Sequence, residues 1–439
     1  MRDFLVMAVF YSSLPFIPFR PFYGLVVFSW LAYMRPQNLA WTLGNERLSF
    51  YVGILTLLGL GLAVVRGREK IMTPRPQTIL LILMGLWILV TAETALDPVR
   101  AWRWATLFVK IIVISVITTG LVKDRFRFKV LILVIAFSLG LLGLKYGLYG
   151  ALRGGVRFNT GPGGFIGDNN TFALGLNMAI PLLAGIAWVE KEKLLRIGAV
   201  ALILFSFLTV FFTFSRGGLV TLAVISALLL VYSRRPFLAG LVVALGVTVF
   251  LAVSSDRIIG QYRSRASSIS QYEQDPSAMN RLRAWEVSWW VFNDHPIFGV
   301  GPQNFLLAYS EYGNPDEKTR VAHNSFFQLL AEGGIPAVGI FIALVLVTLV
   351  RLHLVAHWYR SDWVRIYARM LQISIVGYVT GGMLLDMAYF DLFYHLVAMS
   401  VGLEVAAAAE QVVPATTGAV SKGQIPWWKQ SPEMRPGTA

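Results

Sequence analysis

Apolar residues in this chain run in long blocks, with little of the one-face recurrence that marks a surface helix. Blocks near the length that crosses a bilayer, about 20 residues, cover 48–65, 77–95, 101–122, 128–149, 170–189, 194–214, 217–232, 236–253, 335–355, 366–385 and 391–409. A helix apolar on all sides belongs in lipid or in the middle of a bundle, so each block predicts a transmembrane helix. Residues 1–34 are as apolar, but Pro15, Pro18 and Pro21 interrupt them and proline breaks helices. They predict one broken span, or a re-entrant piece plus a span, retained because no small-residue cleavage site follows. The expected fold class is an all-α polytopic membrane protein with about twelve transmembrane helices.

Polar positions collect between the blocks in two kinds of connector. "RGREKIMTPRPQ", "KDRFRFK", "EKEKLLR", "SRRP" and "HWYRSDWVR" are basic, and they alternate with connectors poor in lysine. Short cytoplasmic loops concentrate Lys and Arg, which places the basic set, and with it both termini, in the cytoplasm. The opposite face then carries 35–47, 96–103, 150–169, the 215–217 turn, 386–390 and one large segment, 254–334. A connector that long is functional or folded. The chain divides into an N-terminal transmembrane bundle (1–253), an extracytoplasmic segment with interfacial helices (254–334), C-terminal transmembrane helices (335–410) and a cytoplasmic tail (411–439).

Composition agrees with the pattern. The chain is 56% hydrophobic and 14% charged, with a mean hydropathy of +0.63, whereas soluble domains carry roughly 25% charged residues. The net charge of +14 follows from the basic cytoplasmic loops, so no nucleic-acid partner is expected. There is no cysteine, which excludes disulfides and thiolate metal sites.

The cations of the outer face differ in kind from those inside. Arg153, Arg157, Arg216, Arg257, Arg263, Arg265, Arg281, Arg283, Lys318 and Arg320 include a single lysine. Arginine offers a planar fork that binds phosphate bidentately and keeps its charge. The bias predicts a phosphate-bearing, lipid-linked ligand at the outer leaflet. Arg216, in "FTFSRGGLV", sits at a tight hairpin between two apolar blocks, where a charge is expensive and marks a functional site. Gly217 and Gly218 are expected to let ligand and backbone approach closely. In "NRLRAWEVSWWVFNDHPIFGVGPQNF", Arg281, Trp285, Trp289 and Phe292 recur at helical spacing as an aromatic stripe headed by a cation. Tryptophan favours the headgroup level, so this is expected to be an interfacial helix. Arg283 has Glu286 at ion-pair spacing, which discounts it as a phosphate contact. Lys145, toward the outer end of its span, adds to the same positive pocket. "ALRGGVRFNTGPGGFIGDNNTFA" predicts a mobile loop lining the site, with Arg153, Arg157 and Asn170 available to substrate.

No HExxH, DxD or GxSxG arrangement occurs in the outer connectors, so no metal and no cofactor are expected. A proton acceptor near neutral pKa is required instead. His323, in "VAHNSFFQLLAEGGI", lies at the outer boundary just before a span, and imidazole suits general-base work. On a helix beginning near Pro315, His323, Phe327 and Leu330 share one face. Asn324, Gln328 and Glu332 share a neighbouring one, fit to orient the ring and bind an acceptor.

"FSRGG", "NRLRAW…HPIFGVGPQNF" and "AHNSFFQLLAEGGIPAVGIF" together resemble the O-antigen ligase and polymerase superfamily, bacterial integral-membrane glycosyltransferases, from about residue 160 to 405. The start, "RPFYGLVVFSWLAYMRPQNLAW", is similar to exosortase-associated O-glycosylation ligases. The resemblance implies a GT-C-like inner-membrane enzyme with its active site at the periplasmic face. Such an enzyme transfers a glycan from an undecaprenyl diphosphate donor to lipid A–core, without metal and with inversion. It places Arg216, Arg281 and His323 on the family's two arginines and its histidine, with Arg283 as the alternative to Arg281. Protein O-oligosaccharyltransferase and O-antigen polymerase are alternatives using the same donor. A flippase for lipid-linked glycan is the alternative of another class; it would carry its key charges near the bilayer midplane, on repeat-related broken helices.

Overall fold

The computed structural model of the chain describes residues 2–412 except 41, 45, 234–235, 268–275 and 315–317, and gives the backbone alone for 238–239, 263–267, 276–278 and 412. Its helices are α1 (Arg2–Ser13), α2 (Pro21–Tyr33), α3 (Pro36–Leu39), α4 (Leu48–Val65), α5 (Pro76–Glu93), α6 (Pro98–Leu121), α7 (Arg125–Leu152), α8 (Asn169–Val189), α9 (Lys193–Phe212), α10 (Arg216–Tyr232), α11 (Pro236–Val253), α12 (Asp256–Ser267), α13 (Pro276–Asp294), α14 (Phe305–Tyr312), α15 (Ser325–Trp358), α16 (Asp362–Gly382) and α17 (Asp391–Val412). Proline opens α2, α3, α5 and α6, where its missing N–H would have had no partner. Side-chain oxygens of Asp97, Asp124, Asp168, Ser215 and Asn324 cap α6, α7, α8, α10 and α15, accepting from first-turn amides that otherwise lack partners.

Eight of the described helices are long and apolar enough to cross a membrane: α4 to α9, α15 and α17, while α2, α10 and residues 240–253 of α11 are shorter apolar helices. The fold is mostly helical, as expected, with one β-hairpin (β1, Thr160–Gly163; β2, Ile166–Asp168) paired antiparallel in the 150–169 connector, where a mobile loop was expected. Helix α8 runs through the middle of the bundle, with 89% of its apolar window buried, whereas α4 and α15 bury only 33% of theirs.

The connectors separate cleanly to two ends. At the basic end Lys123 and Arg127 bond Glu69 at 2.9 and 2.8 Å, Lys129 pairs with Glu190, Arg351 and Arg75 share Glu404, and Trp363 donates to Glu410. At the other end Asn38 donates to the Pro162 carbonyl, Leu96 to that of Val300 and Ser255 to that of Gly154, and Asn324 to that of Met383. All the connectors assigned to the outer face by charge alternation meet there.

Residues 1–34 depart from the expected odd number of crossings. The Thr42 hydroxyl donates to the Asp3 carboxylate at 3.2 Å, so the segment begins and ends at the outer-connector end. Between α1 and α2 a short 3₁₀ turn, Leu14–Phe19, crosses α4 at Gly59, where an added Cβ would lie 2.9 Å from the Ile17 carbonyl. Gly59 is about 17 Å of helix from Leu48, so the prolines turn the chain back partway along α4. The piece is a re-entrant hairpin, held by Phe10, Ile17, Val27, Leu31, Leu48 and Val52. Asp3 and Glu410 therefore lie at opposite ends, not on one side. Residues 413–439, most of the expected tail, lie outside the described residues.

The long connector locks into the start of α15. Val300 and Gly301 donate to the carbonyls of Ala331 and Glu332 at 2.8 and 2.9 Å, and Ile335 to that of Pro296. Gly299 (φ 63°) and Gly334 (φ 67°) make the interlock possible: a Cβ on Gly334 would meet the Ile297 carbonyl at 2.2 Å. Gly334, outside helical geometry, also kinks α15 between its outer turns and its membrane part. Trp87 closes the joint, donating to the Gly333 carbonyl at 2.8 Å and stacking on Phe298.

Single cysteines placed in this cysteine-free chain at positions 3, 44 and 68 test the hairpin in intact cells. A membrane-impermeant maleimide is expected to label positions 3 and 44 alike and to spare position 68; protection of position 3 alone contradicts the hairpin.

Candidate active site

The helix expected to carry His323 begins later than its sequence pattern predicts. Pro315 lies outside the described residues, and α15 starts at Ser325 with Asn324 as its cap. His323 precedes the cap in the left-handed region, φ 50°, so it shares no helix face with Phe327 and Leu330. Such a conformation costs a non-glycine residue energy and persists where its surroundings enforce it.

Those surroundings are the Asn324 and Ser325 side chains. Asn324 Oδ1 accepts from the Phe326 and Phe327 amides at 2.9 and 3.2 Å, and its Nδ2 donates to the Met383 carbonyl at 3.1 Å. Ser325 Oγ donates to the Leu385 carbonyl and accepts from the Met387 amide. The connector 383–387 is thus bolted to the residues beside His323. Gln328 and Glu332, each 2% exposed, continue the seam inward. Gln328 accepts from the Ala388 amide, and the Glu332 carboxylate accepts from the Tyr389 hydroxyl at 2.8 Å and from the amides of Gln303 and Phe305. Asn324, Gln328 and Glu332 hold the protein together; they do not form an exposed stripe for an acceptor.

Charged groups from two other segments bear on His323. Burial lowers its pKa from the usual value, the positive charge of Arg281 lowers it further, and Asp168 opposes both. Asp168 also bears on Asp386, whose carboxyl burial pushes up to about 6. Asp168 is placed by its cap on α8, accepting from the Asn170 and Thr171 amides. Arg281 is placed by α13, which is tied to α15 where Trp285 stacks on Phe327 at 5.4 Å. Arg283 instead pairs with Glu286 at 3.9 Å, with both side chains about half exposed. The aromatic stripe divides: Trp285 turns inward, while Trp289 and Trp290 remain 51% and 40% exposed.

The Arg216 turn reaches the same connector from the other side. A Cβ on Gly217 would meet Leu384 at 3.2 Å, and one on Gly218 would meet Ala173 at 2.7 Å. The two glycines therefore serve close packing of α10 on its neighbours, not ligand approach. Asn169 donates to the Thr213 carbonyl at 2.9 Å, linking this turn to the Asp168 corner. Arg157 lies over the Phe214 ring at 5.9 Å, two residues from Arg216. Arg153 is outermost, over Tyr149. Asn170 spends its amide in the Asp168 cap and directs its side chain at Asn169. Lys145 lies over the Tyr146 ring and shares its surroundings with Arg2. The Arg265 side chain lies outside the described residues.

Asp168 and Asp386 were not singled out by sequence as site residues. Asp386 did carry a signal, an acid in a very short connector between two apolar blocks. Among the described residues no three His, Asp or Glu side chains gather as metal ligands would.

A bundle of membrane-spanning helices that gathers arginines, a histidine and two carboxylates at one end defines a multi-pass membrane protein with a charged site at its boundary. Residues 200–342 match the family model described as O-Antigen ligase, a match that supports the O-antigen ligase superfamily. Residues 1–172 match a family of unknown function (DUF5935), which holds the re-entrant hairpin and the Asp168 corner. No curated protein matches the chain. Arg216, Arg281 and His323 all fall within the ligase match.

The charges predict how the site responds to pH. Replacing Arg281 with Gln removes a cation that depresses His323, so the acid limb of the rate profile should move to higher pH. Asp168→Asn removes the opposing anion and should move it to lower pH. Shifts of the same sign in both variants contradict the arrangement.

Proposed function

We propose that the chain is an O-antigen ligase of the bacterial inner membrane, joining an undecaprenyl diphosphate-linked glycan to lipid A–core. The observation that carries this reading is the convergence of Arg281, Asp168 and His323 beside the connector that Arg216's turn also touches. Applied to the two ends, the positive-inside rule puts the basic end in the cytoplasm and the site in the periplasm. In the topology we favour, α4 to α11 and α15 to α17 cross eleven times and the re-entrant hairpin replaces the twelfth crossing.

In this mechanism a neutral His323 ring accepts the proton of an acceptor sugar hydroxyl. The hydroxyl oxygen forms a bond to the anomeric carbon of the donor's first sugar. The bond from that carbon to the diphosphate oxygen breaks, and its electron pair leaves with undecaprenyl diphosphate. Arg216 and Arg281, helped by Arg157, balance the charge that develops on the leaving group, the largest electrostatic demand of the step. Attack from the side opposite the leaving group inverts the anomeric configuration. A lowered histidine pKa keeps the base unprotonated at neutral pH. The exposed Trp289 and Trp290 beside the site favour an acceptor that is itself embedded in lipid.

His323→Ala should lower transfer by about 10²–10⁴-fold while binding of the lipid-linked donor persists. Arg216→Lys should also impair transfer, since a point charge does not reproduce the guanidinium fork. Wild-type turnover in His323→Ala would refute the base assignment.

A further inference from the structure

The turn before Arg216 is built against its own backbone preference. Phe214 has φ 55°, a conformation that a bulky residue adopts only when held there. It is 3% exposed, so a large ring is buried at the strained position where glycine would be the easy choice.

What holds it comes from three separate segments. Tyr262, on α12, stacks on the Phe214 ring with centroids 4.7 Å apart and planes 29° apart. Its hydroxyl donates to the Phe211 carbonyl, which the Phe214 amide also bonds at 3.0 Å, so one oxygen joins the tyrosine to the strained residue's own backbone. Arg157 covers Phe214 from the 150–169 connector, and Asn169 takes the Thr213 carbonyl. Helix α12 is itself anchored: Ser255 donates to the Gly154 carbonyl at 2.8 Å, and Tyr262 meets Phe250 edge-on at 5.4 Å. Beyond the turn, Ser215 caps α10 through the Gly218 amide at 3.0 Å, so the direction of Arg216 follows from the backbone at 213–215.

We propose that Tyr262 is a positioning residue that clamps the strained Phe214 turn and thereby aims the Arg216 guanidinium at the donor diphosphate. This rests on the reading of Arg216 as a diphosphate contact. It gives the first helix of the large periplasmic segment a task in catalysis although Tyr262 touches neither substrate. It also explains why phenylalanine stands at a left-handed position: the ring is the handle by which a distant helix holds the turn.

The test uses full-length protein in lipid nanodiscs, with Tyr262→Leu, Tyr262→Phe and Arg216→Ala compared. Tyr262→Leu keeps bulk but loses the stack and the hydroxyl; Tyr262→Phe loses the hydroxyl alone. Hydrogen exchange at the amides of 215–218 should quicken about tenfold in Tyr262→Leu and less in Tyr262→Phe. KM for the lipid diphosphate donor should rise about tenfold in Tyr262→Leu, in keeping with the cost of misplacing a binding group. KM for the acceptor and the melting temperature should stay near wild type, and Tyr262→Phe should recover most of the donor affinity. Unchanged exchange in Tyr262→Leu overturns the clamp, whatever the kinetics. Faster exchange with donor and acceptor KM rising together overturns its link to the donor. An unaltered donor KM in Arg216→Ala removes the role given to Arg216 and leaves the exchange result to judge the clamp.

Discussion

The site depends on one constraint: polar backbone groups buried where a helix enters the membrane must find partners. At the start of α15 the partners are the side chains of Asn324 and Ser325. Asn324 closes two amides of its own helix and one carbonyl of the 383–387 connector, and Ser325 closes two more groups of that connector. These bonds leave His323 one residue outside the helix, in a conformation it would not choose alone. The same connector carries Asp386 and abuts the turn of Arg216. A few satisfied hydrogen bonds thus decide where several charged side chains meet.

Strain gathers around this junction. Among the described residues the positive-φ positions that are not glycine are Arg35, Phe214, Gln303 and His323, and all four lie at the outer-connector end. Phe214 is held by packing from another segment. The Arg35 guanidinium lies over Gly164, where a Cβ would sit 1.6 Å from Nη1, so the N-terminal family's segment presses on the hairpin that ends at Asp168. Pre-organisation of this kind suits a reaction whose main demand is fixed charge opposite a leaving diphosphate. The N-terminal region is then more than an anchor, because it supports Asp168, the carboxylate that bears on the histidine.

Much of this was legible in the sequence because its signals are strong and physical. Long apolar blocks gave the helices, and alternation of basic connectors sorted the loops to the two ends where they meet. The Arg283–Glu286 pair followed from helical spacing. The failures share a cause: a local pattern was extended past a boundary that tertiary contacts set. "HNSFFQ" fits a helix face, but Asn at 324 is also a strong cap, and the cap prevailed. Gln328 and Glu332 looked like a solvent-side stripe, yet their partners, Ala388 and Tyr389, come from a segment far along the chain. Pro15, Pro18 and Pro21 were recognised as breakers, but only the Thr42–Asp3 contact shows that they turn the chain back. Glycines 217 and 218 suggested an open approach, and Ala173 and Leu384 fill that space.

On the proposed reading this junction forms a glycosidic bond by direct displacement from a diphosphate carrier. The most direct measurement mixes purified protein, undecaprenyl diphosphate-linked glycan and lipid A–core in chelator, and determines the linkage and anomeric configuration of the product. The expected product is glycan joined to lipid A–core with inverted configuration, with release of undecaprenyl diphosphate. Retained configuration, or glycan that stays on its carrier while wild-type protein remains folded, would contradict that reading.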